Sequence, residues 1–285
     1  MRKKILITGE NSYIGKSFVS WLSAWPGEYE VDTISTLDDG WKAKCFSGYD
    51  AVLHVAALVH QKEKPCLEDL YSKVNTQLVV DVAQKARQDG VGQLVFMSTM
   101  AVYGQKSGVI TPETEPVPTT MYGKSKLDAE KQLEKLAGEG FVVTIARPPM
   151  VYGPGCPGNY ARLSRLIRMT PIFPKVVNER SMIYIDYLCE FLRQMIDKRL
   201  GGVFFPQNRE YVNTTELAAC IAKSYGKRVR FSRLLGALVK VLPLGVFRKV
   251  FGSLVYDKAM SGDFSYDEMD FAETVRRSAE GWQRN

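Results

Sequence analysis

Tyr122 and Lys126 stand four residues apart in Tyr122-Gly-Lys-Ser-Lys126. On a helix that spacing brings both side chains out on one face. A phenol ordinarily titrates near pH ~10, and a neighbouring ammonium favours its phenolate. Such a pair exchanges a proton with an alcohol as base or with a ketone as acid. The chain holds 14 tyrosines, so about one Tyr-x-x-x-Lys arises by chance and position must make the case. Ser98 and Thr99 follow the apolar run Leu94 to Met97, and Thr99 precedes Tyr122 by 23 residues (122 − 99). That interval fits a loop and a helix start. A hydroxyl at the C-terminal end of a strand in a parallel sheet lies where ligands bind. It would hold the reacting oxygen for Tyr122.

The phosphate-binding part is read from Lys4-Ile-Leu-Ile-Thr8-Gly9-Glu-Asn-Ser12-Tyr-Ile-Gly15. A strand, a tight turn at Gly9 and a helix starting near Gly15 aim backbone N–H groups and the helix dipole at a pyrophosphate. Ser12 stands where such turns usually carry their middle glycine; it is small, and its hydroxyl adds a donor. The second strand ends Thr33-Ile34-Ser35-Thr36-Leu37-Asp38. Ser35 therefore occupies the place of the acid that holds ribose hydroxyls, and no arginine stands nearby for a 2′-phosphate. NAD and NADP both stay open. Asn75, flanked by Val74 and Leu78 in a long helix, is placed to bond backbone or water near Lys126. His54 sits in an apolar strand and reads as a structural histidine.

These residues need a scaffold, and the pattern supplies one. Lys4–Ile7, Val31–Ile34, Ala51–Val55, Leu94–Met97 and Val142–Ala146 are brief, β-rich apolar runs. Helical periodicity between them spans 14–24, 67–88 and 122–136. The alternation predicts an α/β fold, a doubly wound parallel sheet of Rossmann type. After Arg147 a cluster of Pro and Gly through Gly158 marks a loop leaving the sheet. Beyond it the spacing predicts a helix at 160–168, a strand at 182–185, a helix at 186–198 and a strand at 203–205, with a mostly helical remainder. The stretch from Leu234 to Val255 mixes Leu, Val and Phe with Lys240, Arg248 and Lys249. It reads as packing over a cleft or at a subunit contact, and a membrane surface is the other option.

Bulk properties narrow the classes. The chain has 285 residues, 45% hydrophobic and 24% charged, an ordinary globular composition. Lys and Arg outnumber Asp and Glu by 38 to 31, a net +7; this favours anionic ligands such as nucleotides. The cations form no single stripe along the sequence, so no nucleic-acid partner is expected. Five cysteines without a Cys-x-x-Cys pair and two histidines argue against a metal site and suit a reducing compartment. With no long apolar run for a signal peptide or an integral membrane span, the protein is expected in the cytoplasm.

Together with His54-Val-Ala-Ala57, Val102-Tyr103-Gly104 and Arg147-Pro148-Pro149-Met-Val-Tyr-Gly153-Pro154, these motifs resemble the extended short-chain dehydrogenase/reductase family, in its nucleotide-sugar epimerase, dehydratase and reductase branch. The resemblance runs from Met1 to about Leu188. It implies a dinucleotide-binding domain (1–150 and 181–206) and a smaller substrate domain (151–180 and 207–285). It further implies Tyr122 as acid/base, Lys126 as its partner and ribose ligand, and Thr99 as the substrate-oxygen hydroxyl with Ser98 beside it. The cofactor set is Thr8, Gly9, Ser12, Tyr13, Ile14, Gly15, Ser35, Ala56, Asn75 and Lys126. Asn159, Phe173 and Arg180 resemble the residues that hold the nucleotide diphosphate; a guanidinium suits a pyrophosphate and an aromatic ring stacks near uracil. Ser12, Ser35 and Met150 depart from the family pattern. Met100-Ala101 replaces the Asp-Glu pair that eliminates water in the dehydratases.

The expected activity is therefore a UDP-hexose 4-epimerase (UDP-glucose or a UDP-N-acetylhexosamine) with retained NAD, NADP being possible. The alternatives are an NADPH-dependent reductase of UDP-4-keto sugars and, from another class, a non-catalytic cofactor sensor. A UDP-sugar is the expected small-molecule partner, and a homodimer is a family expectation.

Overall fold

The computed structural model describes residues 2–59, 64–241, 251–262, 264, 266 and 268–281. In chain order its elements are β1 (Lys3–Thr8), α1 (Tyr13–Leu22), β2 (Tyr29–Ile34), β3 (Ala51–His54), α2 (Glu68–Tyr71), α3 (Leu78–Gln88) and β4 (Gln93–Met97). There follow β5 (Gly108–Ile110), α4 (Met121–Glu134), β6 (Val142–Ala146), β7 (Met150–Tyr152), α5 (Asn159–Met169), β8 (Ile172–Pro174) and β9 (Met182–Tyr184). The chain continues through α6 (Ile185–Asp197), β10 (Gly202–Phe204), α7 (Thr214–Ser224), β11 (Arg230–Ser232), α8 (Arg233–Val241), β12 (Leu254–Tyr256) and α9 (Phe271–Glu280). They divide between two compact units.

Unit 1 comprises Met1–Gly104, Glu115–Pro148 and Cys189–Pro206. Its six strands form one sheet in the order β10-β6-β4-β3-β1-β2, with every pairing parallel. Every residue of β3 and of β4 is buried. Successive side chains point to opposite faces, so the sheet is covered on both, as a parallel sheet requires. The core joins Leu6, Val52, Leu94 and Phe96 of the strands to Val79, Val82 and Ala83 of α3 and to Ala129 and Leu133 of α4. Each Leu, Val or Phe side chain among them contributes on the order of 1.5–3 kcal/mol on burial. From β1 the chain steps outward to β2 and then back past β1 to β3. That reversal opens a crevice beyond the C-terminal ends of β1 and β3, where ligands bind in such sheets.

Unit 2 comprises Gln105–Thr114, Pro149–Leu188 and Gln207–Asn285. It holds three two-stranded parallel pairs, β5 with β12, β7 with β9 and β8 with β11. β9 matches the strand expected at 182–185, whereas β11 and β12 lie in the remainder that the sequence suggests is mostly helical. The pairings also shift the boundaries drawn from the sequence: β9 pairs with β7, so residues 181–188 fall in unit 2, and β5 pairs with β12, so 105–114 falls there too. The centre of unit 2 is aromatic. Tyr152 packs 5.5 Å from both Tyr160 and Tyr184, and its hydroxyl meets Thr274 Oγ1 at 2.8 Å and accepts from Asn208 Nδ2 at 3.2 Å. Of the apolar-basic stretch 234–255, residues 242–250 lie outside the described residues, as does His60.

Candidate active site

The turn between β1 and α1 is made largely by backbone. Gly9 adopts φ +98°, and a Cβ there would stand 2.8 Å from the Ala56 nitrogen. Glycine is thus required twice over, by conformation and by close approach. Ser12 takes an ordinary extended conformation (φ −70°, ψ 145°) and caps α1, its Oγ accepting from Gly15 N at 2.9 Å. A serine fits here without strain because this turn asks for a helix cap rather than a left-handed residue. Tyr13 and Ile14 open the helix, where N–H groups have no intrahelical acceptor. A Cβ at Gly15 would meet Val55 and Ile7 at 3.2–3.3 Å, so that glycine lets α1 lie close to the sheet. Thr8 is fully buried with Oγ1 2.7 Å from His54 Nδ1; its side chain is structural. Beyond β2, Ser35 Oγ accepts from Leu37 N. The strand's own acid, Asp32, is engaged by Tyr49 and Lys44.

The residues expected to transfer the proton converge at the C-terminal end of β4. Ser98 N donates to Ala146 O at 2.8 Å and Met100 N to Pro148 O at 3.0 Å, which fixes the segment carrying Thr99. Thr99 Oγ1 accepts from Ala101 N at 3.1 Å. Tyr122 begins α4, capped by Thr120, and its phenol is hydrogen-bonded to the Thr99 side chain. Burial pushes Tyr122 up to about 12, while the Thr99 bond pulls the other way. Gly123 is what lets α4 approach: a Cβ there would stand 2.6 Å from the Ala101 carbonyl oxygen. Lys126, one turn on, is buried; its Nζ donates to Met97 O at 2.8 Å and lies 4.4 Å from the Phe96 ring centre. Burial pulls Lys126 down to about 7, opposed by Glu130.

Two supports hold this helix. Between α2 and α3 the residues Ser72–Gln77 form a π-helical turn, a widening that often marks functional sites. It turns Asn75 and Thr76 inward: Asn75 Nδ2 donates to Ser125 Oγ at 3.1 Å, and Thr76 Oγ1 to Ser125 O at 2.7 Å. Asn75 Oδ1 accepts from Leu58 N at 2.7 Å, and Nδ2 also donates to Leu58 O at 3.2 Å. Asn75, expected to bond backbone or water near Lys126, ties the Leu58 backbone to Ser125 of α4. The second support escaped sequence reasoning. Glu130, buried on α4, accepts from Ser98 Oγ and from Arg147 Nε at 3.0 Å, while Arg147 NH1 donates to Tyr103 OH at 2.8 Å. Ser98, expected beside Thr99 in catalysis, is thus held as a structural donor. The signal was available: Glu130 is four residues after Lys126 on a predicted helix, and Arg147 opens a quoted motif.

His54 is fully buried and kept neutral. Burial, helped by the charge of Lys126, takes it down to about 3. Its Nε2 has no hydrogen-bond partner in the structure.

The three expected diphosphate residues lie in unit 2 and are not equivalent. Phe173 is 1% exposed and packs against Phe231 (6.3 Å) and Phe251 (5.7 Å). This corrects the stacking role expected for it: the alternation of β8 turns the ring into the core. Arg180 is bridged through its backbone to Val212 and Leu254. Its NH1 donates to Gly252 O at 2.9 Å, and burial lowers its affinity for the proton. Asn159 is exposed at the start of α5.

Comparison with known proteins agrees with this geometry. The profile of the NAD dependent epimerase/dehydratase family matches residues 5–203. A UDP-glucose 4-epimerase of Vibrio cholerae is 29% identical, covering 99% of this chain and 91% of that protein. An N-acetyl-α-D-glucosaminyl-diphospho-ditrans,octacis-undecaprenol 4-epimerase of Escherichia coli O157:H7 is 26% identical over 65% of this chain and 58% of its own length. The Bordetella bronchiseptica enzyme WbmG, solved in complex with NAD and UDP, shares the fold with a TM-score of 0.78 at 20% identity, covering 100% of this chain and 95% of that one.

Proposed function

The chain belongs to the NAD-dependent epimerase/dehydratase family, and on that premise we propose that it interconverts a UDP-hexose and its C4 epimer by reversible oxidation at C4. The observation that carries the reading is the half-buried Tyr122 phenol hydrogen-bonded to Thr99 at the end of β4, with Lys126 one turn along the same helix. The residues present fit a dinucleotide. The Gly9 backbone lies against Ala56 with no space for a Cβ, and the N-terminus of α1, with its dipole, faces the turn. A nicotinamide held there supplies the acceptance and return of hydride.

Thr99 and Tyr122 together hold the C4 oxygen of the sugar. Tyr122 takes its proton as the carbon is oxidised, and the 4-keto sugar turns before Tyr122 returns the proton. Lys126, depressed by burial, is drawn back to its charged form by a phenolate one turn away, which lowers the cost of forming that phenolate. Met100 and Ala101 offer no acid to expel water, so the cycle ends in epimerisation rather than dehydration. Arg180 is assigned to the diphosphate.

A second reading keeps this chemistry and exchanges the uridine for a polyprenol, as in the name of the Escherichia coli relative. The exposed hydrocarbon and cations of unit 2, described below, favour it. The epimerase cycle demands a cofactor that never leaves. Denaturing freshly purified protein should release near-stoichiometric NAD, and UDP-glucose, UDP-N-acetylglucosamine and a polyprenyl-diphosphate sugar should be compared as substrates. An empty protein that binds NADPH reversibly and reduces a 4-keto sugar would replace epimerisation by reduction. Tyr122→Phe should lower kcat by about 10²–10⁴-fold with cofactor content unchanged; undiminished turnover would remove Tyr122 from the mechanism.

A further inference from the structure

α8 carries hydrocarbon toward solvent. Of its residues 233–239 only Gly236 is buried; Leu234 is 84% exposed and Leu238 53%. The helix rests on its neighbour through that glycine, where a Cβ would stand 2.0 Å from the Lys175 carbonyl oxygen. β11 runs directly into α8 and pairs with β8, so exposed Ile172 registers with exposed Arg230 while Phe173 and Phe231 turn inward. The end of α5 joins the same region. Lys227 Nζ donates to Ile167 O at 3.2 Å, and the Arg168 guanidinium lies 4.7 Å over the Tyr225 ring. On α5 Met169 is 76% exposed, and Val177, two residues past Lys175, is 84% exposed. Seven of the thirteen exposed large apolar residues among those described fall within 166–177 and 234–238, a concentration that marks an interaction surface.

The charge of the same segments is one-sided. Residues 159–178 and 223–241 contain ten Lys or Arg and no Asp or Glu. The chain as a whole carries +7, and +7 less +10 leaves −3 for everything else. The cations that look scattered along the sequence are gathered by the fold of unit 2. No helix among the described residues is long and apolar enough to cross a membrane.

We propose that this face of unit 2 docks on the surface of an anionic lipid bilayer, its aliphatic side chains entering the headgroup–acyl boundary and its cations meeting lipid phosphates. A second copy of the chain would set cations against cations, which like-charge repulsion opposes. Protein interfaces favour aromatic residues, and none of the seven exposed residues is aromatic. The docking holds whichever sugar diphosphate is turned over.

The test is co-sedimentation of the full-length protein with vesicles of phosphatidylglycerol and phosphatidylcholine in equal parts, beside vesicles of phosphatidylcholine alone. The wild type should bind the anionic vesicles, not the neutral ones, and progressively less as salt rises. R230E/R233E should weaken vesicle affinity by more than about tenfold, since each cation near an anionic surface is worth roughly fivefold. L234D/L238D should abolish binding, with both variants turning over a soluble sugar nucleotide at the wild-type rate. Wild-type protein that stays in the supernatant with anionic vesicles, or equal binding by both variants, overturns the proposal. A wild-type dimer that becomes a monomer in L234D/L238D gives the face to a second copy and overturns it as well. If either variant fails to fold, the wild-type contrast between the two vesicle types decides.

Discussion

Unit 1 holds Lys126, Glu130, Arg147 and His54 in its interior, while unit 2 leaves Met169, Val177 and Leu234 in water. Both depart from the usual distribution of side chains, and they depart differently. In unit 1 Glu130 meets Ser98 and Arg147, Arg147 meets Tyr103, and Lys126 meets the Met97 carbonyl. The cost of burial is offset locally, and what is gained is placement: the segment with Thr99 and the helix with Tyr122 are fixed to one another. In unit 2 the exposed hydrocarbon has no such offset within the fold. Buried charge points to work done inside the protein, exposed hydrocarbon to contact with something outside it.

The contrast is broken most forcefully at Glu130. Glu130→Ala leaves the Arg147 guanidinium without its carboxylate and should cost about 3–5 kcal/mol, read as a lower denaturant midpoint, together with a fall in kcat as Ser98 loses its anchor. An unchanged midpoint would mean that the network is ornamental.

Lys126→Met sharpens it. The folded pKa of Lys126 lies near 7 against an ordinary 10.5, so between those values the unfolded chain holds a proton that the folded one lacks. Stability should therefore rise with pH across that window, by up to about 1.4 kcal/mol per pH unit. Cofactor-free Lys126→Met should lose that slope, gain stability at pH 7 and lose activity. A slope that survives would show Lys126 to be solvated. The smallest effect is expected at the surface: Leu234→Ser should change unfolding free energy by no more than about 0.5 kcal/mol. A larger loss would show Leu234 to be covered.

The sheet was legible because each of its strands is a short apolar run between helices of 3.6 period; β6 spans the predicted Val142–Ala146, and β1 and β4 differ from prediction only at their ends. Of the paired strands of unit 2 only β9 was. β5, β7, β8, β11 and β12 are three residues each, too short for a period of two to show, and their partners lie far along the chain. Of the expected site residues, Thr99, Tyr122 and Lys126 are brought together at the end of β4 and Gly9 forms the β1–α1 turn, where chemistry dictates residue type. Other positions have partners that residue type alone does not reveal: Ser98 bonds Glu130, Asn75 bonds the Leu58 backbone and Ser125, and Phe173 packs into the core.

Unit 1 is also assembled from three separate stretches of chain, and its last strand, β10, pairs with β6 from 58 residues downstream (204 − 146). On a ribosome adding about 5–20 residues per second, β6 waits on the order of 3–12 s with an open edge. An unpaired edge of a parallel sheet is a template for association with other nascent chains. Newly made protein should therefore be most prone to aggregate, and most dependent on chaperones, during the synthesis of residues 147–204, and truncation before Gly202 should yield an insoluble product even though every residue of the proton-transfer site has been made.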